Sequence, residues 1–317
     1  MLTSVEICAG AGGQALGLEK AGFSHQALVE IEPEYCATLK HNRPDWNVIQ
    51  QNVKEFHGYK YQNVDLLAGG VPCPPFSVAG KQLGSSDDRD LFPEMIRLAY
   101  EIEPRAILIE NVRGILDPRF AGYRDYIQDK LEKAGYYGDW YLSNASDFGV
   151  PQLRPRVTFV AIHESIKIEY EHPSKISRTP SVGEALYDLM CENGWVYASI
   201  WREKASGIAP TIVGGSKKHG GPDLGPTRAR KAWAVLGVDG SGIAKEAPQK
   251  NFKGLPKLTN RMVARLQGFD DDWDFIGSKT CVYRQIGNAF PSPVAQCIGE
   301  AIKDCLISRD NELRGVG

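Results

Sequence analysis

Ile7-Cys8-Ala9-Gly10-Ala11-Gly12-Gly13 joins a strand-like apolar run, Val5 to Cys8, to a helix-like one, Gln14 to Ala21. A second strand-like stretch, Gln26 to Ile31, follows, and its Glu30 stands 20 residues beyond Gly10. This is the layout of the first unit of a nucleotide-binding α/β fold. Glycines let the backbone approach a ligand, the helix N-terminus attracts an anion, and the acid accepts ribose hydroxyls. The spacing is G-x-G-G, not G-x-G-x-x-G, which favours a helix end facing a methionine carboxylate over one that holds a pyrophosphate. The same glycines would also serve a tight turn with no ligand, so the loop alone does not name one.

Working outward, the alternation continues. Glu34 to His41, Leu91 to Glu103 and Tyr123 to Lys133 read as helices, and Val64 to Ala68, Ala106 to Ile109 and Val157 to Ile162 as strands. The pattern predicts a doubly wound, mainly parallel sheet with helices on both faces and ligands at the carboxyl ends of its strands. After about residue 180 it stops, and Ser206 to Gly242 is rich in Gly, Pro and basic residues without clear periodicity. Ser292 to Ile307 regains helical spacing at Val294, Ile298, Ile302 and Leu306. The expected organisation is a catalytic and cofactor-binding domain over 1–180, a smaller loop-rich module over 181–270, and a return to the first domain over 271–317.

Composition narrows the class. Of 317 residues, 42% are hydrophobic and 24% charged, and no apolar run approaches the roughly 18 residues of a membrane span. Met1 to Ile7 lacks the basic region and apolar core of a signal peptide, so a cytoplasmic, monomeric protein is expected. Cysteines at 8, 36, 73, 191, 281, 297 and 305 form neither C-x-x-C pairs nor a zinc spacing, and an odd count argues against a disulfide framework; no metal is expected. The net charge of −2 conceals a division, because residues 201–265 carry 13 Lys or Arg against 4 Asp or Glu, a net of +9, leaving −11 elsewhere. A basic segment in an acidic chain suits phosphate contacts, and it also suits a merely solvated face.

Asp65 to Ser77 carries a strand into a loop with Cys73 at its tip, hedged by Pro72, Pro74 and Pro75. A lone thiol there is as well read as a structural one. Glu110, however, ends another apolar strand on the same edge of the sheet. Thiol plus carboxyl answers one chemical problem, the low reactivity of cytosine at carbon 5. Thiolate addition at carbon 6 makes carbon 5 nucleophilic, and a protonated acid at ring nitrogen 3 stabilises the developing charge. Glu110 would need a raised pKa for that task. Gln152-Leu153-Arg154-Pro155-Arg156 reads as extended, placing Arg154 and Arg156 on one side towards a phosphate, a base or Glu110. Asn288, in Gln285-Ile286-Gly287-Asn288-Ala289, lies where it can touch cofactor or target nucleotide.

Together these blocks resemble the C5-cytosine DNA methyltransferase family, in order from residue 5 to about 300. They are Cys8 to Gly13; Glu30; Gly70 to Cys73 with Phe76-Ser77; Asp88 to Phe92; Glu110-Asn111-Val112; Asn144-Ala145 through Asp147 to Gln152, Arg154 and Arg156; Arg265 to Phe269; and Gln285 with Gly287-Asn288-Ala289. The resemblance implies S-adenosylmethionine as cofactor, duplex DNA as partner, extrusion of the target base, and Cys73 as nucleophile. It implies that Glu110 contacts nitrogen 3 and the amino group of the base. Arg156 is then the partner orienting that base, with Arg154 beside it on the phosphates. Cys8, Ala9, Gly10, Gly12, Gly13, Glu30, Ile31, Asn52, Pro72, Leu91 and Asn288 fall at cofactor-pocket positions.

The basic segment occupies the place of the target-recognition region, where Thr211-Ile212 resembles a short Thr-aliphatic signature. Ser77, Thr211, Lys217, Lys218, Arg228, Arg230 and Lys231 are the expected DNA contacts, and a restriction endonuclease is the expected functional companion. The chain departs from the pattern around adenine: the family often has aromatic residues where this chain has Cys8 and Ile31, and an acid where it has Asn52. Ring stacking should be reduced there and the amino-group contact neutral. Two rivals stay open: an RNA cytosine methyltransferase on the same scaffold, and a regulatory subunit that lost catalysis.

Overall fold

The computed structural model describes residues 1–72, 90–214 and 221–315, with side chains to residue 311. The strands are β1 (Leu2–Ile7), β2 (Phe23–Glu30), β3 (Val48–Gln50), β4 (Leu66–Gly69), β5 (Ala106–Val112), β6 (Tyr136–Asn144) and β7 (Pro155–His163). They form one sheet in the order β3-β2-β1-β4-β5-β7-β6. β3, β2, β1, β4 and β5 run parallel, and β7 lies antiparallel between β5 and β6. Chain order reverses between β1 and β4, which opens a crevice at their carboxyl ends.

The helices of the first half are α1 (Gly13–Ala21), α2 (Pro33–Asn42), α3 (Phe92–Ile102) and α4 (Ala121–Glu132). Both faces of the central strands are apolar because both are covered. Leu67, Ile107, Ile109 and Phe159 pack under α3 and α4, while Leu66, Ala68, Leu108 and Val160 pack against α1 and the last helix. In α3 the buried face is written as Phe92, Met95, Ile96, Ala99 and Ile102, one helical stripe.

The second half contains α5 (Val182–Cys191), α6 (Ala198–Lys204), α7 (Thr227–Val235), α8 (Asn260–Gln267), α9 (Lys279–Asn288) and α10 (Ser292–Gly315). The expectation of no regular structure in Ser206–Gly242 is corrected by α7. Its only buried side chain is Trp233, so one anchor holds it and no apolar stripe betrays it. Trp195, Trp201, Trp233 and Met262 belong to one continuous cluster with Leu16, Leu28 and Leu39 of the first half. α10 returns to α1, where a Cβ on Gly17 would lie 2.4 Å from Ser292 O, and Val294, Ile298, Ile302 and Leu306 are all buried. Among the described residues no helix is long and apolar enough to cross a membrane.

Candidate active site

At the carboxyl edge of the sheet a cleft of about 600 Å3 runs between the loops after β1, β2, β4 and β5. Its floor is set by Glu30 at the end of β2. One carboxyl oxygen accepts the Gly10 N–H at 2.8 Å, and the other accepts those of Ile31 and Glu32, both at 2.8 Å. The acid thereby ties the glycine loop to the sheet, and Oε2 keeps a lone pair for a further donor. Burial pushes Glu30 up and its three backbone bonds pull it down. Gly10 and Gly12 have φ of 57° and 90°, left-handed values that favour glycine. No side chain caps α1, so its first N–H groups stay available to a ligand.

The rest of the cleft contains most of the expected cofactor positions. Cys8, Gly10, Glu30, Ile31, Asn52, Pro72, Leu91 and Asn288 all line it, with Val29 and Val53 adding apolar wall. Burial, then the nearby Glu30 and Glu6 charges, drive the Cys8 thiol upward, so Cys8 acts as an apolar wall. Ile31 is 57% exposed at the rim, and Asn52 spends its side-chain oxygen on the Lys54 N–H at 3.1 Å. Ala9 in the loop and Gly13, the first residue of α1, lie just behind, where a Cβ on Gly13 would meet Phe290 O at 2.2 Å.

Glu110 and Arg156 meet at the opposite end of the cleft. β5 and β7 pair so that Glu110 faces Thr158 and Val112 faces Arg156. Side chains two residues apart share a sheet face, so Arg156 lies diagonally across from Glu110. Arg156 Nε is 2.8 Å from Glu110 Oε1, with the two side chains 14% and 13% exposed. Burial raises the Glu110 pKa, opposed by Arg156 and, more distantly, Arg154. A buried acid of raised pKa beside a fixed guanidinium can hold or donate a proton to a ring placed between them.

Arg154 corrects the expectation of a second arginine on the phosphates. It precedes β7, is 0% exposed and is not among the residues that line the cleft. Its guanidinium donates to Ile212 O at 2.6 Å, Gly287 O at 2.7 Å and Ala289 O at 3.0 Å. It pins Ile212 to the segment carrying Asn288. Gln152 joins this node, donating to Leu266 O and Gln267 Oε1 and accepting from Ile212 N–H. Thr211 donates its hydroxyl to Leu153 O at 2.6 Å. Arg228, Arg230 and Lys231 stand exposed on α7, Arg230 paired with Asp223 at 2.9 Å. Cys73, Ser77, Lys217 and Lys218 lie outside the described residues.

Sequence reading left Asn111 without a role. Its amide donates to Val71 O at 2.8 Å while its oxygen accepts the Val112 N–H at 2.8 Å. β5 thus holds the chain two residues before Cys73, and Pro72 sits on the cleft wall. An Asn flanked by Glu110 and an apolar strand carried no spacing signal for that tie.

Comparison with known proteins agrees with this geometry. Residues 2–304 match the family described as C-5 cytosine-specific DNA methylase. The type II methyltransferase M.NgoMIV of Neisseria gonorrhoeae is 57% identical over 304 residues, covering 95% of this chain and 96% of that protein. The type II methyltransferase M.NaeI of Lentzea aerocolonigenes is 55% identical over 311 residues, covering 96% of this chain and 75% of its own length. The fold is similar to that of a Spodoptera frugiperda DNMT2 variant, with a TM-score of 0.68 at 18% identity over 97% of this chain and all of that one. With its Glu110–Arg156 pair and its glycine-loop cleft on one sheet edge, and with relatives matching nearly end to end, the chain belongs to the C-5 cytosine-specific DNA methylase family and is a DNA methyltransferase.

Proposed function

We propose that the chain methylates carbon 5 of a cytosine in a specific duplex DNA sequence, with S-adenosylmethionine in the 600 Å3 cleft and Cys73 as covalent nucleophile. The observation that carries this reading is that Glu110 and Arg156, held at 2.8 Å, line the same cleft as Glu30, Gly10 and Pro72. The cleft suits the cofactor, since its volume and apolar wall match a nucleoside-sized ligand. Glu30 offers a free lone pair, and the uncapped α1 end offers donors. When bound there, S-adenosylmethionine supplies an electrophilic methyl group.

The protein's own groups do the rest. The target cytosine leaves the duplex, at a cost of a few kcal/mol that the DNA contacts offset. The Cys73 thiolate forms a bond to carbon 6, and the ring π electrons move towards carbon 5 and nitrogen 3. Protonated Glu110 donates to nitrogen 3, while Arg156 holds both the acid and the ring in place. Once carbon 5 is methylated it loses its proton to solvent, the carbon–sulfur bond breaks, and the 5,6 double bond returns with the thiolate. Lys217, Lys218, Arg228 and Lys231 supply phosphate contacts on the recognition side. Because the relatives are named type II methyltransferases, we also propose a companion restriction endonuclease that cuts the same sequence.

The test is sequencing by bisulfite conversion of a plasmid grown in cells expressing the chain. One fully modified sequence context is expected. Absence of 5-methylcytosine from every context would remove the reading, and modified transfer RNA with unmodified DNA would replace it by RNA methylation.

A further inference from the structure

Thr158 of β7 stands directly across the ladder from Glu110 of β5, with Arg156 two residues before it. Residues two apart share a face of a strand, so Glu110, Arg156 and Thr158 occupy one side of the sheet. Directly opposed residues of an antiparallel pair have Cβ atoms about 4.5–5.5 Å apart, which puts the Thr158 hydroxyl within reach of the Glu110 carboxyl.

Packing does not ask for a hydroxyl at this position. Thr158 is 3% exposed, and its Oγ1 has no hydrogen-bond partner among the described residues. Further along the same face, Val160 and Ile162 of β7 and Ala106 and Leu108 of β5 are buried in one apolar cluster. Valine has the shape of threonine, suits a strand as well, and brings no polar atom to bury. A buried hydroxyl left unpaired is destabilising, so this one calls for a partner that the apolar cluster cannot provide. On β6 the opposed residue is Tyr141, whose ring stacks on His172 at 4.4 Å and carries its hydroxyl at the far end. The polar group left on the other side is Glu110.

The two carboxyl oxygens of Glu110 are not equivalent. Oε1 is held by Arg156 Nε at 2.8 Å. Oε2 lies by Gly70, where an added Cβ would stand 3.2 Å from it, and Gly70 lines the cleft. The proton offered to ring nitrogen 3 therefore belongs on Oε2. A single bond to Oε1 lets the carboxyl pivot, whereas a second donor on the same oxygen fixes its plane, and catalytic hydrogen bonds often tighten only once substrate is seated. We propose that Thr158 is a positioning residue for the methyl transfer, its hydroxyl donating to Glu110 Oε1 so that Oε2 stays aimed at the target cytosine. The inference rests on the reading of Glu110 as the acid of the reaction.

A donor to a carboxylate favours its ionised form, so loss of the hydroxyl should move Glu110 upward. The other charged or titratable groups around Glu110 are Arg156 and Arg154, which lower it, and Glu6, Cys8 and Tyr35, which line one chamber with it. Tyr141 stands on the far side of Thr158. All of them persist in a Thr158 variant, so a shift reports the hydroxyl.

Steady-state kinetics of the full chain on duplex DNA across a range of pH, paired with thermal melting, tests Thr158→Val and Thr158→Ser. In Thr158→Val kcat should fall about tenfold, the scale of one lost hydrogen bond. Its KM values should stay within about twofold, its alkaline limb should move to higher pH, and it should melt at or above the wild type. Thr158→Ser keeps the hydroxyl and loses a buried methyl, so it should melt lower yet hold kcat within about twofold and leave the limb in place. Activity that follows melting, with the serine variant the poorer enzyme, would assign Thr158 to packing and overturn the proposal. Wild-type kcat and limb in Thr158→Val would overturn it as well. A limb that persists in Glu110→Gln removes the reading of Glu110 and this role with it, whereas a limb that disappears there but stays put in Thr158→Val removes the role of Thr158 alone.

Discussion

Gly287 and Gly214 touch backbone to backbone: a Cβ on Gly287 would lie 2.4 Å from Gly214 N, and one on Gly214 would lie 2.5 Å from Asn288 Oδ1. The segment that follows Thr211 thus rests on the C-terminal end of α9, where Asn288 lines the cleft. Gly287→Ala must push the two segments apart. A loss of about 1–3 kcal/mol in stability is expected from overpacking, with weaker binding of both S-adenosylhomocysteine and DNA. Denaturant midpoints and two titrations check this, and DNA affinity that does not change would show that the contact couples nothing.

The two arginines of Gln152–Arg156 should separate cleanly. Arg154→Ala strips the buried carbonyls of Ile212 and Gly287 of their side-chain donor and leaves that of Ala289 only the Gln267 amide, at about 1–3 kcal/mol for each carbonyl left unpaired, so it should lower the melting temperature sharply or prevent folding. Arg154→Lys should recover only part, because an ammonium cannot reproduce the planar fork. Arg156→Ala should melt close to the wild type and lose about 10²–10³ in kcat, the range seen when one transition-state contact is removed. Similar melting losses in both would contradict the assignment.

Glu110 should impose a pH limit. Burial raises its pKa, so the protonated donor survives above the ordinary carboxylate range and is lost as pH rises through the raised value. The kcat profile should therefore fall on the alkaline side of that value. Glu110→Gln, whose amide does not titrate, should run about 10²-fold slower without that limb. Stability follows the same sign: the folded state holds the extra proton, so this contribution is present at low pH and fades as pH climbs through the folded pKa. A limb retained in Glu110→Gln would place the titrating group elsewhere.

Phosphate contacts from α7 should be legible in salt dependence. Arg228→Ala and Lys231→Ala should each reduce the slope of log K against log salt by about 0.9. Arg230 is already held by Asp223 at 2.9 Å and by Gly225 O at 2.8 Å. Its replacement should change the slope less. Equal slopes for all variants would move the DNA path off this helix.

Duplex DNA containing 5-fluorocytosine at the modified position should trap the wild type as a covalent adduct, because the fluorine cannot leave as a proton does. Cys73→Ala should form none under denaturing electrophoresis. Adduct formation by that variant would assign the nucleophile to another group.

The sequence by itself determined the first half of the fold and the chemistry of the site. Apolar strands buried on both faces, the glycine loop and strand-end acids are local features, written in runs of adjacent residues. Ordered motifs also singled out Glu110 and Arg156, which the fold brings to 2.8 Å, whereas Cys73 lies outside the described residues. Tertiary structure alone decided the rest. β6 escaped notice because an edge strand is buried on few positions, and Tyr137, Asp139 and Leu142 face outward. The helix α7 is held by Trp233 alone and so has no periodicity to read. By contrast, the Ser181–Glu184 capping box of α5 was present as a local signal. Arg154 and Arg156 have the same type and alternate spacing, yet one is sealed by three carbonyls and the other faces the cleft. That difference depends on where β7 begins and on segments 58 and more residues away.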